Sequence, residues 1–421
     1  MRKQLWQIFG PVICATFLVI LTLLFFPSSS RSNFKEEKQD AVALSYISFK
    51  SKYKKNRALG DKNHRFVPFF GSSEWSRFDS MHPSVLADAY QREYTPYLLG
   101  QRGAASLTQY FGMQQIGAHL KNSQAIYVVS PQWFSPKGAS SKAFEQYFSS
   151  DQATHFLQTS AGDDDDRYAA KRFLELKSDC SLTGMFQKVA SGEELSKWDR
   201  EQLTWQAYLL EKQDALFSRF ADSGSNLGLV ETEAMKLPET FSYDRLSKVA
   251  NEDGSRSTQS NDFQIDDRFY RNRLQSKIKK LKQSQTKISY LQSPEYNDFQ
   301  LVLNEFAKHQ TDVLFVIPPV NERWMNYTGL NKDMYRATVA KIKYQLTSQG
   351  FNHIADLSEQ GGIDYFMQDT IHIGWQGWLE LDKYIHPFLT EQQAPVHYQL
   401  KKEFLTSEWA TYKGDLNLFL K

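Results

Sequence analysis

Short apolar runs recur along the chain, and patterns typical of helices lie between most of them. A continuous run such as residues 125–129 predicts a strand buried on both faces of a sheet. Between the runs, apolar residues recur every three or four positions as in a helix, for example at Phe299, Val302 and Phe306. Strands that alternate with helices are typical of an α/β fold with a parallel sheet. The predicted strands cover residues 66–70, 97–99, 125–129, 313–317 and 353–357.

This alternation stops in the middle of the chain, where the sequence is polar and helical and no comparable apolar run appears. The simplest interpretation is one α/β domain interrupted by a large helical insertion. The predicted division is 1–30 for an N-terminal membrane anchor, 31–62 for a stalk, 63–135 for the first half of the α/β domain, 136–289 for the insertion, and 290–421 for the second half with a C-terminal extension.

The N-terminus has the pattern of one membrane crossing. Arg2 and Lys3 precede an uncharged stretch, and residues 8–26 are almost wholly apolar. As a helix they would span about 29 Å, close to the roughly 30 Å of a hydrocarbon core. Positive charge before the span predicts a cytoplasmic N-terminus and an extracytoplasmic domain. A cleaved signal peptide is the alternative, but residues 25–30 lack an Ala-x-Ala cleavage site.

Composition excludes several classes of partner and cofactor. The 421 residues carry a formal charge of +2, from 50 basic and 48 acidic side chains, so the whole protein exerts no strong field on nucleic acid. Of the two cysteines, Cys14 lies inside the apolar segment and only Cys180 follows it. The ectodomain therefore has no intramolecular disulfide and no thiol cluster for zinc. An extracytoplasmic chain of this kind suits a Gram-positive cell surface.

Two distant segments carry the residues of a serine hydrolase or acyltransferase. One is Phe-Phe-Gly-Ser-Ser-Glu at 69–74, and the other is Asp-Thr-Ile-His at 369–372. A serine hydroxyl is a weak nucleophile until a base takes its proton, and a third group must orient that base. Ser73 is the predicted nucleophile, His372 the base and Asp369 the orienting carboxylate. In a first helical turn, the Asp and His would share one face.

Each of these motifs also has a purely structural interpretation. A Gly-Ser-Ser turn is common, and an Asp-x-x-His sequence is also typical of a helix cap with a surface histidine. The same spacing occurs at His64 and His82, each three residues after an aspartate. His64 precedes the first strand, so it lies at the wrong end of the sheet. His82 is the best substitute base, although Pro83 after it indicates a helix start.

An acyl-transfer site also needs donors for the oxyanion. The backbone N–H groups of Ser73 and Gly103 are predicted donors, because a loop without Cβ lets the backbone approach closely. The side-chain amide of Gln132, in Ser-Pro-Gln-Trp-Phe at 130–134, is a third. That segment is equally well interpreted as a turn fixed by proline and packed by two aromatic rings.

These motifs together resemble the DltD family of D-alanyl transfer proteins, an SGNH-hydrolase-like group of Gram-positive bacteria. The resemblance is carried by Gly-Ser-Ser-Glu-Trp at 71–75, by residues 130–134, and by the Asp369 and His372 pair behind an N-terminal anchor. The chain departs from SGNH enzymes in general, since Ser72 replaces the Asp of Gly-Asp-Ser and no Gly-x-Asn-Asp block occurs.

The resemblance implies a membrane-anchored serine acyltransferase or esterase that attaches D-alanine to lipoteichoic acid outside the cell. Its expected partners are a membrane-bound O-acyltransferase and a D-alanyl carrier protein, the cell membrane, and no nucleic acid. No cofactor or metal is expected. Ser73 would accept the D-alanyl group as an ester and pass it to a glycerol phosphate hydroxyl. The alternatives are a thioesterase or esterase that hydrolyses mischarged D-alanyl carrier, and a noncatalytic adaptor.

Residues 268–287 contain eight Lys or Arg and no acidic residue. Such a run can attract an anionic polymer, and it is also typical of the solvated face of a helix. The sequence alone leaves both interpretations open.

Overall fold

The structure of the protein is a computed structural model, and it describes residues 2–27, 33–177, 179–220 and 224–420. The predicted boundary between the membrane anchor and the stalk, at residues 30 and 31, lies outside the described residues.

A parallel sheet of five strands forms the centre of the described chain, in the order β2-β1-β3-β4-β5. This confirms the predicted α/β class with a parallel sheet. Buried residues fill nearly every strand position, because helices cover both faces. The strands are β1 (Phe66–Gly71), β2 (Thr95–Gly100), β3 (Gln124–Val128), β4 (Asp312–Ile317) and β5 (Ile354–Asp356).

In the described residues before β3, seven helices precede β1 or lie between the first three strands. Residues 104–122 have one continuous helical pattern in the sequence, yet they form two helices separated by a short turn at Gln115 and Ile116. The seven are α1 (Arg2–Phe25), α2 (Phe34–Ala41), α3 (Tyr46–Lys50), α4 (Lys52–Leu59), α5 (Pro83–Ala89), α6 (Ser106–Gln114) and α7 (Gly117–Leu120).

Between β3 and β4 the described residues form helices and loops without a strand. This segment wraps the sheet, since α10 packs beside the helices of one face while α13 and α14 pack against the other. The helices are α8 (Ser141–Tyr147), α9 (Ser150–Thr159), α10 (Asp164–Leu176), α11 (Thr183–Ser191), α12 (Lys197–Phe220), α13 (Leu227–Ala234), α14 (Tyr243–Ser257), α15 (Asp267–Phe269) and α16 (Ile278–Leu281).

The last described part of the chain supplies two long helices to one face of the sheet, one long helix to the other face, and a short C-terminal extension. The helices are α17 (Glu295–His309), α18 (Glu322–Thr328), α19 (Lys332–Thr347), α20 (Trp375–Thr390) and α21 (Ser407–Thr411).

The two faces of the sheet have different cores because alternate strand residues point to opposite sides. On one face, Tyr127 of β3 packs against Phe315 of β4 and against Phe299 and Phe306 of α17, with ring centroids 5.8–5.9 Å apart. The other face carries mainly aliphatic side chains from the strands, and these pack with α5 and α20. Burial on both sides fixes the strand ends that carry the site.

Residues 33–59, whose polar sequence predicts a stalk, form α2, α3 and α4 and pack against the sheet. Asp40 of α2 is buried, and its carboxylate accepts hydrogen bonds from Lys54 at 2.7 Å and from Arg57 at 2.8 Å. Lys55 is also buried, and its ammonium donates to the Gln115 side chain at 2.8 Å. Buried ion pairs of this kind require a fixed position, so this segment is part of the folded domain.

Helix α1 covers most of the segment predicted to anchor the chain in a membrane. None of the helices in the described ranges combines the length and the apolarity that a bilayer crossing requires, so the predicted transmembrane helix is not supported.

Candidate active site

Ser73 lies at the carboxyl end of the sheet, in the turn that follows β1. The strand ends at Gly71, and Ser73 precedes a short 3-10 helix, Glu74–Ser76. This turn passes close to the end of β2, where a Cβ on Gly100 would lie 2.4 Å from the carbonyl oxygen of Ser72. Only glycine at position 100 allows the turn to pass this close. The Ser73 side chain, within this turn, is half-buried.

The loop from Asp369 to His372 differs from the helical turn that the sequence predicted. It is closed by the N–H of Gln368, which donates to the carbonyl of His372 at 2.9 Å. Inside the loop, Oδ1 of Asp369 accepts the N–H groups of Ile371 at 2.9 Å and His372 at 3.0 Å. The carboxylate therefore shapes the loop that carries the histidine, just before α20 begins.

A continuous hydrogen-bonded chain joins the three side chains. Nε2 of His372 lies 2.8 Å from Oγ of Ser73, and its Nδ1 lies 2.9 Å from Oδ1 and 2.8 Å from Oδ2 of Asp369. A carboxylate only accepts, so the ring proton is assigned to Nδ1. Nε2 is then the acceptor for the Ser73 hydroxyl. The structure thus brings together the three residues that the sequence predicted as a triad.

Arg77 completes the surroundings of the carboxylate. Its Nε and one terminal nitrogen both lie 2.8 Å from Oδ2 of Asp369, and the ring of Phe269 lies under the guanidinium at 5.8 Å. Asp369 is 1% exposed. Burial by itself raises the pKa of this carboxyl, but the His372 ring, Arg77 and the N–H of Ile371 hold it below its usual value. The acid is therefore ionised throughout the physiological range.

The sequence alone does not identify Arg77 as a residue of this site. The arginine follows the serine motif closely, but its partner lies 292 residues away in the sequence. Only the fold brings the two together, and no spacing rule for one chain connects them.

Glu74 stabilises the turn that carries the serine. Its Oε2 accepts the backbone N–H of Ser72 at 2.6 Å, and the side chain is buried. Burial raises the pKa of Glu74. The electrostatic attraction of the His372 ring and the hydrogen bonds that the Glu74 carboxylate accepts partly oppose this increase. The motif Gly-Ser-Ser-Glu therefore contains a residue for turn geometry next to the serine.

Helix α20 is tied to the serine segment from two sides. The indole N–H of Trp378 donates to the carbonyl of Arg77 at 3.0 Å. Asp79 accepts the N–H of Met81 and the N–H of Trp375, both at 2.8 Å, so it satisfies a free N–H at the start of α20. Burial raises the pKa of Asp79 to about 7 despite these two N–H donors. This carboxyl connects the two halves of the site.

His82, the predicted substitute base, stabilises the backbone around the start of α5. Its Nε2 bonds to the carbonyl of Trp75 at 3.2 Å, and its Nδ1 accepts the N–H of Ser84 at 3.2 Å, where it caps α5. Burial lowers the pKa of His82 to about 3. His64 lies before β1 and bonds to Asp61 at 2.9 Å. Neither ring has the contact with Ser73 that His372 has.

Two of the three predicted oxyanion donors, Gly103 and Gln132, lie at the same end of the sheet as the third, Ser73. Gly103 has a positive φ of 82° and donates its N–H to Oγ of Ser72 at 2.9 Å. Gln132 lies in the 3-10 helix Pro131–Trp133 directly after β3, and it is partly exposed. Within the described residues its side-chain amide has no hydrogen-bond partner. The structure therefore brings Gly103 next to the serine turn, and both oxyanion assignments stay predictions.

This arrangement has the parts required to activate a serine hydroxyl. The imidazole accepts the hydroxyl proton, and the charge that then develops on the ring faces an ionised carboxylate that Arg77 and two backbone N–H groups hold in place. The chemistry that such an arrangement can perform is acyl transfer through a covalent serine ester.

Comparison with known proteins finds one family over most of the chain. The model of a family described as DltD protein matches residues 41–390. Protein DltD of Lacticaseibacillus rhamnosus is 41% identical over 415 residues, 97% of this chain and 96% of that protein. Protein DltD of Bacillus subtilis (strain 168) is 33% identical over 396 residues, 91% and 97% of the two chains. Protein DltD of Staphylococcus aureus (strain NCTC 8325 / PS 47) is 26% identical over 389 residues, which cover 90% of this chain and 95% of that protein.

Replacing Arg77 tests whether it positions the triad. We expect Arg77→Gln to lower kcat for p-nitrophenyl acetate hydrolysis about 10- to 100-fold, because a charge-assisted hydrogen bond to the carboxylate contributes about 1.5–3 kcal/mol. KM should change less than about twofold, because Arg77 would act through Asp369. Arg245→Gln, an exposed arginine on α14, is the matched control. Equal kcat values for the two variants would contradict the positioning role.

Asp79 predicts a pH dependence of stability. The pKa of Asp79 is raised from 3.8 to about 7 in the folded protein. Its stabilising contribution to the free energy of unfolding is therefore fully present below about pH 4 and is lost as pH rises through about 7. Relative to Asp79→Asn, the free energy of unfolding of the wild type should fall by up to about 1.4 kcal/mol per pH unit in this window. Urea unfolding at several pH values measures it. Asp244→Asn, at an exposed site, is the control, and parallel curves for Asp79→Asn and wild type would contradict the assignment.

Proposed function

The chain belongs to the DltD family, and we propose that it is a serine acyltransferase that attaches D-alanine to lipoteichoic acid. The pathway of the family is the D-alanylation of teichoic acids. The observation that supports the catalytic part of the proposal is the hydrogen-bonded chain from the Ser73 hydroxyl through His372 to Asp369. A purely structural serine has no need of a base and an orienting acid.

In the first half of the reaction, Oγ of Ser73 attacks the carbonyl carbon of a D-alanyl ester or thioester. The hydroxyl proton passes to Nε2 of His372, and Asp369 stabilises the imidazolium through Nδ1. When the tetrahedral intermediate collapses, the bond to the leaving alcohol or thiol breaks, and His372 returns the proton to that group. The product is a D-alanyl ester on Ser73.

The oxyanion of the intermediate would be held by the N–H groups of Ser73 and Gly103 and by the amide of Gln132. The Gly103 N–H donates to Oγ of Ser72 in the free protein. To serve the intermediate, the Gly103 N–H would have to exchange its bond to Ser72 for one to the oxyanion.

In the second half, a glycerol phosphate hydroxyl of the acceptor attacks the serine ester. His372 takes the proton of that hydroxyl and passes it to Oγ of Ser73 as the ester bond breaks. Water in the same position would give hydrolysis, the reaction of an esterase or thioesterase that removes D-alanine from a mischarged carrier. The two outcomes share every residue of the site, and they differ only in which hydroxyl reaches the acyl group.

The partners and the location are part of the same proposal. A membrane-bound O-acyltransferase and a D-alanyl carrier protein are the proposed partners. We propose that the N-terminus is cytoplasmic and that the α/β domain lies outside the cytoplasm, on the basis of Arg2 and Lys3 before an apolar segment. Digestion of the domain by protease added to intact cells is the expected result. Protection of residues after 33 under conditions that digest a known surface protein would contradict this orientation.

Replacing the nucleophile tests the catalytic role. We expect Ser73→Ala to lower the D-alanine ester content of lipoteichoic acid to that of a strain without the protein, because the alanine side chain cannot carry an acyl group. The ester is measured as D-alanine released by mild base, with protein abundance followed by immunoblot.

Ser255→Ala is the matched control, since Ser255 is exposed on α14 and away from the triad. It should leave the ester content unchanged. If Ser73→Ala accumulates normally and also sustains normal ester content, the serine is not catalytic, and the noncatalytic adaptor becomes the preferred function.

A further inference from the structure

A helical segment rich in basic residues borders the candidate active site. We call residues 268–287 the basic segment. It begins in α15, continues through a π-helical turn, Tyr270–Leu274, and a 3-10 turn, Gln275–Lys277, and reaches α16. The segment is therefore a surface of the folded domain with defined geometry.

One side of the basic segment packs on the domain. Leu274 is buried in the core, and Ile278 packs against it. The hydroxyl of Tyr327, at the end of α18, donates to the carbonyl of Ile278 at 3.0 Å, and the N–H of Gln283 donates to the carbonyl of Tyr327 at 3.0 Å. These contacts hold the segment so that its charged side chains face outward.

All eight lysine and arginine side chains of the segment are exposed. Across the described ranges, none of them forms an ion pair, although many exposed cations elsewhere in the protein do, such as Arg336 with Glu359 and Lys383 with Glu380. Eight cations without a carboxylate partner on one segment repel each other, and an anionic ligand would relieve this repulsion. A face that served only solubility would be expected to mix both signs.

The nearest carboxylates in the sequence are already used by the backbone. Asp266 accepts the N–H of Phe269 at 2.7 Å. Asp267 accepts the N–H groups of Gln259 at 3.1 Å and Ser260 at 2.8 Å. In the part of the chain that the structure describes, neither aspartate pairs with a cation of the basic segment, so the positive charge of that segment is not neutralised from its own N-terminal end.

The segment starts directly beside the triad. The N–H of Asp266 donates to the carbonyl of Gln368, the residue before the catalytic-site aspartate, at 2.8 Å. Phe269 lies under the guanidinium of Arg77, which in turn bonds to Asp369. A ligand bound along the basic segment would therefore reach the site next to Ser73.

We propose that the basic segment binds the acceptor polymer as a linear polyanion of phosphodiester groups and guides it to Ser73. This inference rests on the proposed acyl transfer, and it adds where the acceptor binds. Binding would use the charge of successive phosphates, so affinity should fall with salt as counterions are replaced. The hydroxyl between two phosphates would then be the group presented to the serine ester.

The test uses the full chain with four substitutions in the basic segment: Lys277→Gln, Lys279→Gln, Lys280→Gln and Lys282→Gln. We expect purified lipoteichoic acid with glycerol phosphate repeats to bind this variant at least about tenfold more weakly than wild type at 0.1 M salt. The slope of log K against log salt should become smaller by up to about three, at roughly 0.7 for each phosphate that no longer meets a lysine. Linear inorganic polyphosphate is the second probe, and it should behave in the same way, because it shares the phosphate charge although it lacks the glycerol.

The matched control removes the same charge elsewhere. Glutamine replaces four exposed lysines that have no ion pair in the described chain: Lys35, Lys62, Lys121 and Lys171. It should bind both probes as wild type does. The proposal would be overturned if both quadruple variants bound the polymer as tightly as wild type, or if both bound it more weakly by the same factor. A weakening for lipoteichoic acid alone would assign recognition to the glycerol, and would also overturn a charge-based surface.

Hydrolysis of p-nitrophenyl acetate separates this inference from the proposed function. The basic-segment variant should hydrolyse this small uncharged ester as wild type does. Ser73→Ala should lose hydrolysis and keep polymer binding. Failure of the acyl-transfer proposal would appear as unchanged hydrolysis in Ser73→Ala, while failure of the binding surface would appear only in the polymer measurements.

Discussion

The carboxylate of Asp369 is the point on which the candidate site depends. It lies inside the protein, and a buried charge is tolerated only when it is paired and hydrogen-bonded. Its own loop provides two N–H groups, His372 provides Nδ1, and Arg77 provides two nitrogens. These same contacts fix the histidine ring and pull the serine segment against the histidine loop. The electrostatic stability of this carboxylate and the geometry of the candidate site therefore have one physical cause.

The sheet makes this convergence achievable. Parallel strands end at one edge, so the turn after β1 and the loop after β5 meet although about 300 residues separate them. Close packing at that edge needs Gly100, beside which the serine turn passes. Gln109 is buried and donates to the carbonyls of Gly71 and Leu99 at 2.5 and 2.9 Å, which joins the ends of β1 and β2. Rigid strand ends keep Ser73 within reach of His372, and the basic segment borders the same edge.

The sequence predicted the strands and the three residues that the structure joins by hydrogen bonds, because both predictions depend on local pattern and order. Buried parallel strands are continuous apolar runs, and Ser73 and His372 each follow such a run. Arg77 and Asp79 could not be predicted in the same way, since their partners, Asp369 and Trp375, are brought near only by the fold. The predicted helical turn at 369–372 was wrong because the carboxylate bonds to its own backbone and favours a loop.

Composition was a poor guide to the segment before β1. Residues 33–59 are polar, which favoured a stalk, yet their charges pair inside the domain, as Asp40 does with Lys54 and Arg57. A polar segment looks solvated in a sequence until its partners are known. The basic segment presents the opposite case: its charges have no partner within the described chain, and this directs attention to a ligand.

The most direct test of an activated Ser73 is the rate at which a fluorophosphonate modifies the protein, with the modified residue identified by peptide mass spectrometry. We expect a single adduct on Ser73 in the wild type, and a rate lower by at least about 100-fold in Asp369→Asn, because the orienting acid fixes the tautomer of His372. An adduct on another residue, or equal rates in the wild type and Asp369→Asn, would contradict it.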